Sequence, residues 1–432
     1  MDPLALVAAA AGLLVALFLL GAPVFLSFLI VNGAGVAMLL GERGFGLVVN
    51  SIFSTATTGT LTAIALFVLM GEILFRSGAT EVLFEAMDRL IGRVVGRQFV
   101  LAGALSAVFG ALSGSNMAVS AMMARTIWPG MARRGYDRRL SIGMILGGAS
   151  LAPVIPPSVL VIIIATLANV SVAGLLVAGV LPGLLLATLF VGYTLLRVRA
   201  DPSLAPATAE GATGGSALRA LLSCAPFLLI VASVMGLILF GVATPSESAA
   251  TGVVGAMATA AAFGRLRIAM LLEALRGAAM ITAMILVIMA SSTLFSQLLA
   301  ISGATGALTR GVTELGLDPV LTLLAMMALV FVFCMFVDQV AVMLVVIPIY
   351  LPIVELVGYD PIWFWLLMLL NVTVGGITPP FGYAMFAFKG AAPEVPMQDL
   401  FQAAWPFVGL FLLGMTIVGA APGLATWMPS LL

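Results

Sequence analysis

One carboxylate of this chain lies deep inside an apolar run: Asp338, in FVFCMFVDQVAVMLVVIPIYLP. At that depth an ionised side chain costs several kcal/mol unless it is paired or holds a cation. Asp338 is therefore a candidate ion ligand, and the competing role is the N-cap of the helix that follows. A second polar cluster, Ser113-Gly114-Ser115-Asn116, interrupts the run VLAGALSAVFGALSGSNMAVSAMMARTIWP. Its small residues let the backbone turn, and its Ser and Asn side chains offer oxygens at membrane depth, where such clusters mark function more often than a satisfied polar kink. The third feature is a double proline, Pro156-Pro157 in GGASLAPVIPPSVL and Pro379-Pro380 in NVTVGGITPPFGYAMF. Consecutive prolines remove two amide donors and block a helix. Two half-helices then point opposed dipole ends at the gap, N-termini suited to a carboxylate and free carbonyls suited to a cation.

These groups need elements that hold irregular backbone at membrane depth, which is tolerated only where it is buried in protein or lines a cavity. Hydropathy places crossings near 4–20, 23–40, 58–75, 141–168, 171–197, 218–241, 245–264, 277–300, 362–388 and 400–428. The stretches 98–129 and 319–351 are too long for one helix and polar at their middles. The ends of the first, Arg97 and Arg133, both lie on a basic side, so it enters and leaves one face as a helical hairpin with its tip at 113–116. The double prolines make 141–168 and 362–388 discontinuous helices.

The chain also repeats itself. SGAT occurs at 77–80 and 302–305, an offset of 225, and GYD at 135–137 and 358–360, an offset of 223. Pro129 and Pro352 differ by 223, as do the double prolines, and Pro23 and Pro245 differ by 222. The same register puts Asp338 opposite Ser115, since 338 − 223 = 115. Two units result, 1–200 and 217–432, joined by the Pro/Gly/Ser-rich linker 201–216. First-half loops carry Arg76, Arg89, Arg93, Arg97, Arg133, Arg134, Arg138 and Arg139, whereas matching second-half segments carry Arg310 with Glu314, Asp318, Glu355 and Asp360. By the positive-inside rule the first set is cytoplasmic and the second periplasmic, so the repeats are inverted and both termini are expected in the periplasm.

Composition agrees. The chain has 432 residues, 62% hydrophobic and 8% charged, far below the roughly 25% charge of a soluble domain. Its first apolar run has no basic leader or cleavage site and is expected to stay as a span. With no His and two Cys, Cys224 and Cys334 in apolar runs, it has too few soft ligands for haem, zinc or iron–sulfur chemistry. The expectation is a carrier, with no transition metal, no cofactor, no nucleic-acid partner and no enzymatic role. Glu72 and Arg76 are expected to pair at i, i+4, Glu247 to cap a helix, and 79–96 and 302–317 to lie along the interface as amphipathic arms.

At its motifs the chain resembles the large membrane subunit (the M, DctM-like subunit) of tripartite ATP-independent periplasmic (TRAP) transporters, within the ion transporter superfamily. The likeness covers essentially the whole chain and rests on SGSN at 113–116, APVIPPS at 152–158, TPSESAA at 244–250, FVD at 336–338 and GGITPPFG at 375–382. It implies an all-α elevator-type carrier of the bacterial inner membrane, driven by a sodium gradient. It also implies a small membrane (Q) subunit acting in trans, since the chain starts directly at its first span, and a soluble periplasmic binding protein delivering an organic acid such as a C4-dicarboxylate or sialic acid. By the same likeness, one sodium site lies between Ser113, Ser115, Asn116 and the unwound segment at Gly148, Ala149 and Pro153. The other lies between Asp338 and Gly376, Ile377 and Thr378. Substrate lies near Ser113, Asn116, Pro157, Thr378, Pro380 and Gly382. Pro153 stands where the second unit has Gly376, and Ile155 where it has Thr378, so the two ion sites are expected to differ.

The principal alternative is a stand-alone sodium- or proton-coupled dicarboxylate or citrate carrier of the same superfamily, with Asp338 as the protonation site in the proton-coupled case. A passive channel is disfavoured because no ring of charge lines a pore. A proton-pumping subunit would need a buried chain of Lys, His and Glu, and the single Lys is Lys389.

Overall fold

The computed structural model describes residues 3–91, 96–206 and 217–432. Arg93 and linker positions 207–216, both used above, lie outside the described residues. Among the described residues the fold is all-helical. The first unit opens with α1 (Pro3–Leu19), α2 (Val24–Leu39), α3 (Phe45–Ala56) and α4 (Thr62–Arg76), followed by the arm α5 (Ala79–Leu90). A hairpin follows, α6 (Arg97–Ser113) and α7 (Asn116–Thr126), then α8 (Trp128–Arg133). The discontinuous helix is α9 (Arg138–Ala149) and α10 (Val159–Leu167), after which α11 (Val172–Ala178) and α12 (Val180–Ala200) close the unit.

The second unit repeats this order. It runs α13 (Ala217–Leu239), α14 (Pro245–Ala262), α15 (Ile268–Ile301), the arm α16 (Ala304–Leu315) and a hairpin of α17 (Pro319–Cys334) and α18 (Gln339–Val357). The discontinuous helix is α19 (Pro361–Gly375) with α20 (Tyr383–Ala391), and α21 (Met397–Ala420) and the short α22 (Gly423–Thr426) end the chain. The arms are each 12 residues, shifted by 304 − 79 = 225. Among the described residues six helical stretches, including Leu218–Leu239, Ile268–Ile301 and Met397–Ala420, are long and apolar enough to cross a membrane, and α1, α2, α3, α6, α17 and α19 are shorter apolar helices. The chain is a multi-pass membrane protein.

The helix breaks have a common cause. A proline cannot donate to the carbonyl four residues earlier, and its ring clashes there. Pro153 stands four residues past Ala149 and Pro379 four past Gly375, and α9 and α19 end at those two residues. Each freed carbonyl takes a tighter bond instead, Ala152 N to Ala149 O and Thr378 N to Gly375 O, both 3.1 Å. Gly148 and Ala149, expected in unwound backbone, are therefore the last turn of α9, and the irregular segment begins at Ser150.

Two features were not expected. α3 reads as no span, being 12 residues with Asn50, Ser51, Ser54 and Thr55 among its apolar positions. The crossing expected at 277–300 is the end of a 34-residue helix, α15, about 51 Å long at 1.5 Å per residue. α15 spans the positions that α3 and α4 occupy in the first unit. There the chain breaks at TTGTL (57–61), where Gly59 and flanking threonines are poor helix formers; the matching stretch of α15 is continuous.

The expected Glu72–Arg76 pair is present, Arg76 Nε standing 2.5 Å from Glu72, and Arg76 Nη1 also lies 3.3 Å from Glu273, which was not expected. Thr244 and Glu247 form a reciprocal capping box at the start of α14, so Glu247 is a cap. Arg265, between α14 and α15, holds Glu81 of the first arm at 3.2 Å. Both cysteines are buried thiols.

Candidate functional site

Gly114 makes the first hairpin turn, at φ +61°, a conformation that costs glycine nothing. Ser115 caps α7 by accepting from Ala118 N at 3.3 Å, and its own amide donates to Ser113 Oγ at 3.3 Å. The tip lies against the start of α10: a Cβ on Gly114 would stand 3.3 Å from Val159 N and 3.7 Å from Pro157 O. Ser158 caps α10, accepting from Val161 N at 3.5 Å.

Along the same seam Gly110 packs on Ala152, a Cβ there falling 2.8 Å from Ala152 Cα. Gly148 packs on Ser106, whose buried hydroxyl has no hydrogen-bond partner among the described residues. Of the tip, Gly114 thus meets the Pro157–Val159 end of the unwound segment, Ser113 and Ser115 bond within the tip, and Asn116 is turned to the second unit. Gly148 and Ala149 sit beside the middle of α6, with Pro153 between the two contacts in sequence.

In the second unit Asp338 is the N-cap of α18, its Oδ1 accepting from Val340 N at 2.9 Å and Ala341 N at 3.4 Å. Capping thus uses one carboxylate oxygen. Met335 O accepts from Phe381 N at 3.2 Å, which ties this tip to the gap 376–382. The ends of α17 and α19 touch, since a Cβ on Gly375 would lie 2.3 Å from Cys334 Cβ and 3.0 Å from its carbonyl oxygen. Thr378 is fully buried and donates to Val374 O at 2.7 Å. Asp338 and Pro380 line one cavity of about 460 Å³ with Phe18 at the end of α1 and Gly21 of the α1–α2 turn.

The units join at their centre. Buried Asn116 donates from Nδ2 to Tyr383 Oη at 2.8 Å, and Tyr383 in turn donates to Gln339 Oε1. Tyr383 lies over Gly376, where a Cβ would fall 2.3 Å from the phenol oxygen. Ser120 Oγ donates to Ala384 O at 2.7 Å, so the first hairpin is bound to the second discontinuous helix. At the base of the same pair, Trp128 Nε1 donates to Glu394 at 3.0 Å. Glu394's own backbone amide first, and then this indole, hold its carboxyl below the usual range.

The starts of α7, α10, α18 and α20 therefore meet in one region, while the carbonyl ends of α17 and α19 pair beside it. Each helix N-terminus carries roughly half a positive charge. Four together favour an anion without any Lys or Arg, and paired carbonyl ends with a carboxylate favour a cation. Tyr383, Gln339 and Ser120 were missed from sequence. Gln339 and Tyr383 could have been found as polar groups at membrane depth flanking Asp338 and Gly382. Ser120 carries no comparable signal.

Two hairpins, two proline-broken helices and a joint centre lined with helix starts define a membrane carrier. The model of the tripartite ATP-independent periplasmic transporter DctM component matches residues 11–424, and the chain belongs to that family. It is a transporter permease subunit and not an enzyme. It is 30% identical over 402 residues, 92% of this chain and 93% of the relative, to the C4-dicarboxylate TRAP transporter large permease protein DctM of Pseudomonas aeruginosa. The ectoine TRAP transporter large permease protein TeaC of Halomonas elongata is 28% identical, covering 97% of both chains. The 2,3-diketo-L-gulonate TRAP transporter large permease protein YiaN of Escherichia coli is 26% identical, covering 90% and 91%. Among solved structures, the YdaH transporter of Alcanivorax borkumensis shares the fold, with a TM-score of 0.66 at 15% identity and coverage of 96% and 98%.

Proposed function

We propose that this chain is the membrane pathway of a sodium-coupled importer of a small organic acid, fed by a soluble periplasmic binding protein and completed by a small membrane subunit. The observation that carries it is the meeting of four helix starts around Asn116 and Tyr383, a place for a carboxylate in a chain with no other fixed positive charge there. The relatives named for C4-dicarboxylates and 2,3-diketo-L-gulonate carry acidic substrates, which matches such a site. The tripartite family description supports the two partners.

Sodium takes its place at the carbonyl ends. One ion lies at Asp338 with Gly376, Ile377 and Thr378, the other among Ser113, Ser115, Asn116, Gly148, Ala149 and Pro153. The carboxylate lies between the tips, near Ser113, Asn116, Pro157, Thr378, Pro380 and Gly382. The chain is two inverted repeats, 1–200 and 217–432, with both termini periplasmic in the inner membrane. Hairpins and broken helices move together as one elevator body against α1–α4 and α13–α15. The Asp338 cavity borders the α1–α2 turn, which this orientation puts on the cytoplasmic side, so the described state is inward-facing.

The moving contact is α4 against α6, where the rings of Phe75 and Phe109 stand 6.4 Å apart. Cysteines at these two positions, in a Cys224→Ala/Cys334→Ala background and joined by a short bis-maleimide, are expected to arrest uptake, with the untreated protein and the treated single-cysteine variants active. Uptake that continues after complete crosslinking rules out the moving-hairpin mechanism.

A further inference from the structure

A second polar chamber lies away from the central site. The break between α3 and α4 opens a cavity of about 420 Å³, walled by that break, the end of α10 and the last third of α15. Its volume is within the range of small-ligand pockets. Thr60, Thr166, Asn169, Thr293, Ser296 and Gln297 face it. The fold does not need the break, because the counterpart of α3–α4 in the second unit is the uninterrupted α15. Helical Ser and Thr hydroxyls ordinarily satisfy themselves on a carbonyl one turn back, as Thr57 and Thr58 do here. Thr293 and Ser296 make no such bond among the described residues. Gln297 accepts from Ser51 at 2.7 Å through its oxygen, which leaves its amide donors to the cavity. Asn169 adds another amide, its backbone in the left-handed conformation that ends α10.

The wall belongs to both proposed bodies: Thr60 and Thr166 approach to 3.5 Å across the seam. In the orientation proposed above, these ends are periplasmic, opposite the Asp338 cavity. We infer that this chamber is an outer receiving site, which holds a small organic anion by neutral hydroxyl and amide donors before it reaches the helix starts at the centre. The lining carries donors and no cation, so the anion is oriented there but held weakly and released inward. The inference rests on the proposed carboxylate import, and its test separates the two.

Ser296→Cys, in the Cys224→Ala/Cys334→Ala protein in sealed right-side-out vesicles, is labelled with a membrane-impermeant methanethiosulfonate. Succinate, ectoine, 2,3-diketo-L-gulonate or isethionate serves as protecting probe without the binding protein. The expected result is labelling from outside, slowed by the probe that the same assembly takes up once its binding protein is supplied. Labelling from outside that no probe slows overturns the receiving site. Access from the inner face alone overturns it as well, and with it the orientation, whereas uptake that ignores sodium strikes only the coupling reading. Thr293→Val with Ser296→Ala keeps the packing and gives a second readout: about a fivefold rise in KM for each hydroxyl bond lost, with the maximal rate and sodium dependence retained. An unchanged KM in this folded variant likewise overturns it.

Discussion

Asp338 has one observed duty, as a helix cap, and one proposed here, as a sodium ligand, and a pair of substitutions distinguishes them. Its Oδ1 caps α18 through Val340 N and Ala341 N, while its charge is assigned to a sodium ion. Asn caps about as well as Asp, whereas Ala costs about 1 kcal/mol of helix stability. Asp338→Asn should therefore melt within a degree or two of the parent, and Asp338→Ala measurably lower. The charge is the larger quantity. A cation about 4 Å from a carboxylate gains on the order of 4 kcal/mol at an effective dielectric of 20. Asp338 borders a cavity, so the gain is discounted; even about 1 kcal/mol is a fivefold change in affinity and the full value about a thousandfold. The assay is the sodium concentration for half-maximal uptake in proteoliposomes, read beside thermal unfolding of the purified protein. Asp338→Asn should raise that concentration at least fivefold without loss of stability. Wild-type sodium dependence in Asp338→Asn, with a defect only in Asp338→Ala, would reduce Asp338 to a cap.

Two further outcomes follow from the bonds that cross the structure. Pro348 inside α18 leaves the carbonyl of Leu344 without its helical donor, and Ser292 Oγ of α15 supplies one at 2.8 Å. Ser292→Ala strands that buried carbonyl, a cost of about 1–3 kcal/mol in this position of the hairpin. The population should shift outward, seen as slower labelling of a cysteine in the Asp338 cavity; an unchanged rate removes Ser292 from the motion. Tyr383→Phe breaks the Asn116–Tyr383–Gln339 link and leaves two polar groups unpaired. It should cost at least tenfold in kcat/KM for uptake at about 1–3 kcal/mol per orphaned group, and normal uptake contradicts the joint centre.

Most of the architecture was legible because it is written locally. Double prolines mark broken helices, a polar tip in an apolar run marks a hairpin, and a fixed register links the units. Even the ends of α9 and α19 follow from Pro153 and Pro379, once the rule is applied to the carbonyl four residues back rather than to the neighbouring residue. α3 was hidden because its hydroxyls and short length depress hydropathy, and its helix is completed by packing on α15, where Ser51 meets Gln297. The centre was only half visible. Asp338 and Asn116 declare themselves by polarity, but Asn116 meets Tyr383 across 267 positions of sequence, and no local pattern encodes that contact. Likewise Ser292 looks like any helical serine until Pro348 exposes the carbonyl it satisfies.

Carboxylate transport coupled to sodium through a complete assembly is tested most directly by uptake into proteoliposomes holding this chain and its small membrane subunit. Radiolabelled succinate, ectoine and 2,3-diketo-L-gulonate are offered with and without the binding protein, under an inward sodium gradient, a proton gradient or neither. Accumulation of one of them only when sodium gradient and binding protein are both present is the expected result. Accumulation that needs no binding protein, or that follows the proton gradient in the absence of sodium, contradicts it.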